Sequence, residues 1–162
     1  MGNSMVKAQT EQTADFLKKA VGQLTDFLNE ATITNLMEEL QGEDVFYKEL
    51  LGNFRRLTVF CEEGLEACQV IIYNDPFRKG AAEKVLYRIY HQCIEEFFQP
   101  KQDVWYEDSR SAYTGKNSIK FRQDVPHSIK QLVKNLESDF QNMREELEYY
   151  ETDYRTKMMQ SR

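Results

Sequence analysis

Arg55-Arg-Leu-Thr-Val-Phe-Cys-Glu-Glu-Gly-Leu-Glu-Ala-Cys-Gln-Val-Ile-Ile72 places two cysteines seven residues apart with three glutamates between them. The stretch has two readings. As β structure, Leu57 to Cys61 and Ala67 to Tyr73 are apolar runs around the hairpin loop Glu62-Glu-Gly-Leu-Glu66. As a helix, at about 100° per residue, Leu57, Cys61, Leu65, Cys68 and Ile72 fall within about 60° of Phe54. Arg55, Arg56, Glu62, Glu63, Glu66 and Gln69 then share one opposing arc of roughly 140°. The same frame keeps Tyr47 and Leu50 with the apolar set and Lys48 and Glu49 with the polar set. A hairpin has no reason to hold a helical phase across its own loop, so one helix over Asp44 to about Tyr73 is preferred. Gly52, Gly64 and the β-branched run Val70-Ile-Ile72 speak for the other reading.

The helical phase also decides what the cysteines are. Cys61 and Cys68 lie on the apolar stripe about 10 Å apart, too far for a disulfide, and the glutamates point away. Cys93 falls on the inward face of another helix. A zinc site needs four converging ligands, and His91 stands only two residues from Cys93, on nearly the opposite side of that helix. Three buried thiols acting as small apolar side chains is the expected reading, with no metal and no cofactor. A di-iron bundle needs Glu-x-x-His motifs, and neither His91 nor His127 has Glu three residues before it. There is no Gly-x-Ser-x-Gly elbow, and no phosphate-binding glycine loop longer than Thr114-Gly-Lys-Asn117. No catalytic constellation is assembled, so an enzyme is not expected.

With 162 residues, 41% hydrophobic and 30% charged, the chain reads as one soluble globular domain, 1–162. Its net charge of −6 argues against general attraction to nucleic acid or anionic lipid. No apolar run reaches the roughly 18 residues that span a bilayer. An odd cysteine count with no secretory signal before it points to a reducing cytosol. Met1-Gly-Asn-Ser-Met-Val6 lacks the Ser or Thr that a myristoylation signal needs at its sixth position.

Outward from the central helix, Met1 to Gln9 carry no clear pattern and are expected to fray. Phe16, Leu17, Ala20, Val21, Leu24, Phe27 and Leu28 mark an amphipathic helix, and Thr34 to Leu40 a short one. Asp75-Pro76 has the form of a helix start, for a helix that carries Ala82, Leu86, Ile89, Cys93 and Phe97 inward and stops before Pro100. Val104-Trp-Tyr106 and Ser118-Ile-Lys-Phe-Arg122 flank a turn sequence and predict a β-hairpin whose loop length stays open. After Asp124-Val-Pro126, Ile129, Val133, Leu136, Phe140, Met143, Leu147, Tyr150 and Tyr154 alternate steps of four and three. That seam predicts an unbroken helix of about 50 Å.

Tyr87-Arg-Ile-Tyr-His-Gln-Cys93 and Asp103-Val-Trp-Tyr-Glu-Asp-Ser-Arg-Ser-Ala-Tyr-Thr-Gly-Lys-Asn117 resemble the YpuI-like proteins of Gram-positive, spore-forming bacteria. The resemblance implies a bacterial cytosolic setting and brings no activity, cofactor or catalytic residue.

The expected fold is mostly α: about four long helices with one β-hairpin before the last. The alternative is α+β, with a second hairpin at 57–73. The expected function is a non-enzymatic interaction or scaffold protein with an unknown protein partner, or itself, as ligand. One candidate surface is the hairpin, where Trp105, Tyr106, Arg110, Tyr113, Lys116, Lys120 and Arg122 combine rings with cations. The alternative function is a ligand or nucleic-acid binder acting through that hairpin, 103–123, by stacking and phosphate contact. Asp103, Glu107 and Asp108 blunt the case for nucleic acid. The second surface is the far end of the C-terminal seam. If shorter neighbours leave Leu147, Tyr150, Tyr154 and Met158 in water, two chains would pair there as a homodimer.

Overall fold

In the computed structural model, which describes residues 2–108 and 118–160, the stretch from Arg55 to Ile72 lies inside one helix. This is α3 (Asp44–Tyr73), 30 residues long. Phe54, Leu57, Cys61 and Cys68 are buried on its inner side, as the phase requires. Gly64, which locally favours a loop, sits where α3 meets two neighbours. A Cβ there would stand 3.0 Å from Ile89 Cγ1 and 3.2 Å from Leu17 Cδ1. Close packing, rather than a turn, is why that position carries no side chain. The α+β alternative falls with this helix.

The partner along most of α3 is α1 (Asn3–Glu30). Here the expected frayed start is corrected, because helix begins at Asn3 and Val6 is fully buried. Gln9 Nε2 donates to the Glu146 carbonyl at 3.5 Å, and the Tyr150 hydroxyl donates to Gln9 Oε1 at 3.2 Å. The first turns are therefore held by the end of the chain, a contact that local pattern does not announce. A short α2 (Ile33–Glu39) follows, capped by Thr32, whose Oγ1 accepts from the Asn35 N–H at 3.0 Å.

Asp75-Pro76 does not begin the next helix. Its peptide bond is cis, and α4 (Lys79–Ile89) starts later. Helix α4 continues through a π-helical turn (Tyr90–Ile94) into α5 (Glu95–Phe98). Strands β1 (Trp105–Glu107) and β2 (Ile119–Phe121) pair antiparallel, with Trp105 opposite Phe121, Tyr106 opposite Lys120 and Glu107 opposite Ile119. Beyond that ladder the Asp108 N–H donates to the Ser118 carbonyl at 2.6 Å. The turn sequence Thr114-Gly-Lys-Asn117 lies outside the described residues.

The C-terminal seam is buried as expected, but the helix that carries it is not continuous. It is divided into α6 (His127–Glu146), α7 (Glu148–Glu151) and α8 (Asp153–Gln160). Backbone leaves helical geometry at Leu147 (φ −100°, ψ 12°) and again at Thr152 (φ −121°, ψ −62°). Both breaks follow from packing: α7 turns onto α4 and the π-helical turn, which keeps Leu147 and Tyr150 fully buried. The described residues are 78% helical, with a single two-stranded hairpin ahead of the last helices. No helix among them is long and apolar enough to cross a membrane.

Candidate interaction surfaces

Cys61, Cys68 and Cys93 are free and buried. Burial, with Cys93 close by, pushes the Cys68 thiol up to about 12. A hydrogen bond with Cys61, then burial, holds Cys93 well above the usual thiol range, and its Sγ donates to the Phe60 carbonyl at 3.2 Å. Thiols so placed keep their protons at neutral pH and are poor nucleophiles. Among the described residues no three His, Cys, Asp or Glu side chains converge as metal ligands.

Native protein is therefore expected to react slowly with a thiol reagent and denatured protein quickly. The pH dependence has a definite sign. An unfolded thiol ionises near pH 8.5, whereas folded Cys68 holds its proton to about 12. The resulting stabilisation is full below about pH 8.5 and is lost as pH rises through the folded value. The phenol of Tyr150, raised by burial, adds to the same alkaline loss. Denaturant midpoints should fall from about pH 9 upward; a flat profile there, or rapid native labelling, would mean that the thiols are open to solvent.

The hairpin divides its residues between two faces. Trp105 was expected on a contact surface, and the structure puts it in the core at 2% exposure. Its Nε1–H donates to the Phe97 carbonyl at 2.7 Å, and its ring lies 5.4 Å from that of Phe54. The period of two along a strand explains this: Trp105, Glu107, Ile119 and Phe121 share one face, while Tyr106 and Lys120 take the other. Tyr106 is 40% exposed, and the Arg122 guanidinium lies 4.2 Å above its ring while pairing with Asp103 at 3.1 Å. Arg110, Tyr113 and Lys116 lie outside the described residues.

Between β2 and α6 runs an open groove of about 370 Å³. Ile119, Phe121, Val125 and Val133 line it together with Lys120, Lys130 and Lys134. At its base Glu137, 6% exposed, accepts from the Ser118 N–H at 3.0 Å and the Ser118 hydroxyl at 3.3 Å. A second carboxylate, Glu107, fixes β1 to α6 by receiving both arms of Arg144, at 2.9 and 2.5 Å. The groove is thus a rigid seam between sheet and helix.

Residues 10–156 match the model of the family described as Protein of unknown function (DUF3907). The chain belongs to this family. It is also 48% identical over 151 residues to Uncharacterized protein YpuI of Bacillus subtilis (strain 168), covering 93% of this chain and 84% of that protein. No solved structure matches it. The part shared with the DUF3907 family takes in the hairpin strands, α6 and the groove between them.

In this DUF3907 chain the second expected surface is largely closed. Leu147 and Tyr150 are fully buried and Tyr154 is 6% exposed, so the far end of the seam does not stand in water. The early turns of α1 cover it, and α7 folds back onto α4. Met158 (39% exposed) and Met159 remain at the edge of a cleft of about 400 Å³ with Tyr87, Tyr154, Lys84 and Arg155. Sequence reasoning missed Lys130, Lys134 and Glu137 as parts of the hairpin surface. The two lysines are four residues apart on a polar helix face, which is what any solvated helix shows.

Proposed function

We propose that the protein is a non-enzymatic intracellular interaction protein that holds an acidic segment of a protein partner in the groove between β2 and α6. The observation that carries this reading is the local separation of charge. Lys120, Lys130 and Lys134 rim a groove with apolar walls on a chain whose net charge is −6. Asp124 on the same rim and Glu137 at the base offset part of that charge. Carboxylates of an extended segment would meet the lysines while an apolar side chain covers the half-buried Phe121, combining steering with burial. Tyr106 and Arg122 continue the surface along the outer face of the hairpin. Nucleic acid is the weaker reading, because the Trp105 ring that would stack on a base is buried.

Photo-crosslinking from a benzophenone side chain at position 130, in cells, tests the proposal. The expected product is one protein, joined through an acidic segment mapped by mass spectrometry. Reversal of two rim charges, Lys120→Glu with Lys134→Glu, should lower that yield at least about tenfold. Crosslinks to nucleic acid instead, or an unchanged yield after charge reversal, would overturn the reading.

A further inference from the structure

The exposed positions of α3 recur at alternating steps of three and four, from Val45 through Gly52, Val59 and Glu66 to Tyr73. That spacing is the seam of a helix pair. Four of the eight large apolar side chains exposed among the described residues lie on this helix: Val45 (65%), Val59 (50%), Val70 (65%) and Tyr73 (84%). Charge along the same side is partly sorted by sign. Lys48, Arg55 and Arg56 precede Val59, with Asp44 and Glu49 among them, and Glu62, Glu63 and Glu66 follow it. Lys48 pairs with Asp44 and Arg56 with Glu96. Arg55 and the three glutamates form no ion pair among the described residues.

We propose that this face of α3 joins two copies of the chain, antiparallel, about a twofold axis at Val59. Positions equally far from Val59 on its two sides then meet across the axis, and they are complementary. Arg55 comes opposite Glu63 with Glu62 beside it, Gly52 opposite Glu66, and Val45 opposite Tyr73. A parallel pair would set arginine on arginine and glutamate on glutamate. An isologous contact needs this kind of self-complementary patch.

Gly52 supplies the second argument. A glycine inside an exposed helix costs about 1 kcal/mol against alanine, and a Cβ at Gly52 would meet nothing of its own chain within 4 Å. The missing side chain leaves an open concavity of about 370 Å³ whose charged lining is Lys48, Glu49, Arg56 and Lys101. In the antiparallel pair Glu66 of the second copy enters it and meets three cations, Lys48, Arg56 and Lys101, against one carboxylate, Glu49. The face from Val45 to Tyr73 is about 42 Å long at 1.5 Å per residue, enough for a stable helix pair.

Light scattering on a sizing column at about 10 μM and low salt should give twice the chain mass of 19.2 kDa. Glu62→Arg with Glu66→Arg, and separately Lys48→Glu with Arg55→Glu, should each halve that mass with the far-UV circular dichroism unchanged. Mixing the two variants should restore part of the dimer, since the reversed charge at 62 of one copy then meets the reversed charge at 55 of the other, and that at 66 meets that at 48. Oxidation should link Val59→Cys to itself and Val45→Cys only to Tyr73→Cys, which fixes the antiparallel sense. A wild-type monomer at 100 μM, a dimer that survives both charge variants, or self-linking of Val45→Cys would overturn the proposal. None of these residues lines the groove between β2 and α6, so either proposal can fail without the other.

Discussion

Trp105→Ala is expected to cost about 3–5 kcal/mol of stability, a large share of the roughly 5–15 kcal/mol that holds a domain of this size. The indole is wedged between helix and hairpin, with ring centroids 5.4 Å from Phe54, 5.9 Å from Phe121 and 6.4 Å from Phe97. Truncation opens a cavity there and removes the donor that satisfies the Phe97 carbonyl. Trp105→Phe separates the two effects: it keeps most of the packing and loses only the hydrogen bond, so its cost should be much smaller. Urea unfolding followed by circular dichroism measures both. Because the chain has one tryptophan, wild-type emission should also be blue-shifted and poorly quenched by acrylamide. A Trp105→Ala loss below about 1 kcal/mol would return the residue to the surface as a contact side chain.

The burial of Trp105 marks what a sequence does and does not disclose about a hairpin. Period-two alternation already forbids Trp105 and Tyr106 from sharing a face, so the seven grouped residues could never have formed one surface. Which face is inward depends on Phe54 and Phe97, from elements far away in the chain. Lys130 and Lys134 reach the candidate site in the same way, by the docking of α6 on β2, and leave no mark in local spacing. In contrast, α3 was legible from end to end, because its helical phase persists through thirty residues. The breaks at Leu147 and Thr152 were not, since the heptad seam runs through both without interruption. Only the packing of α7 on α4 turns the chain there. At the other end, Gln9 is anchored by partners that lie in the last quarter of the chain.

Leu65→Pro carries the second large effect, at least about 3 kcal/mol. In α3 the Leu65 N–H belongs to the helical hydrogen-bond ladder, and a pyrrolidine ring both removes that donor and collides with the carbonyl four residues earlier, at Cys61. The damage does not stay local. Gly64, its neighbour, packs tightly against Ile89 of α4 and Leu17 of α1. A kink there would pull Cys61 and Cys68, which are fully buried on either side of it, out of register with both partners. Leu65 itself is only half-buried, so Leu65→Ala should cost clearly less than the proline variant and serves as the control for lost packing. Urea midpoints of the three proteins decide the matter. If proline is tolerated about as well as alanine, Glu62 to Glu66 form a loop and α3 is two segments. If the proline variant loses helical signal across the whole chain, the central helix is continuous and the other helices depend on it.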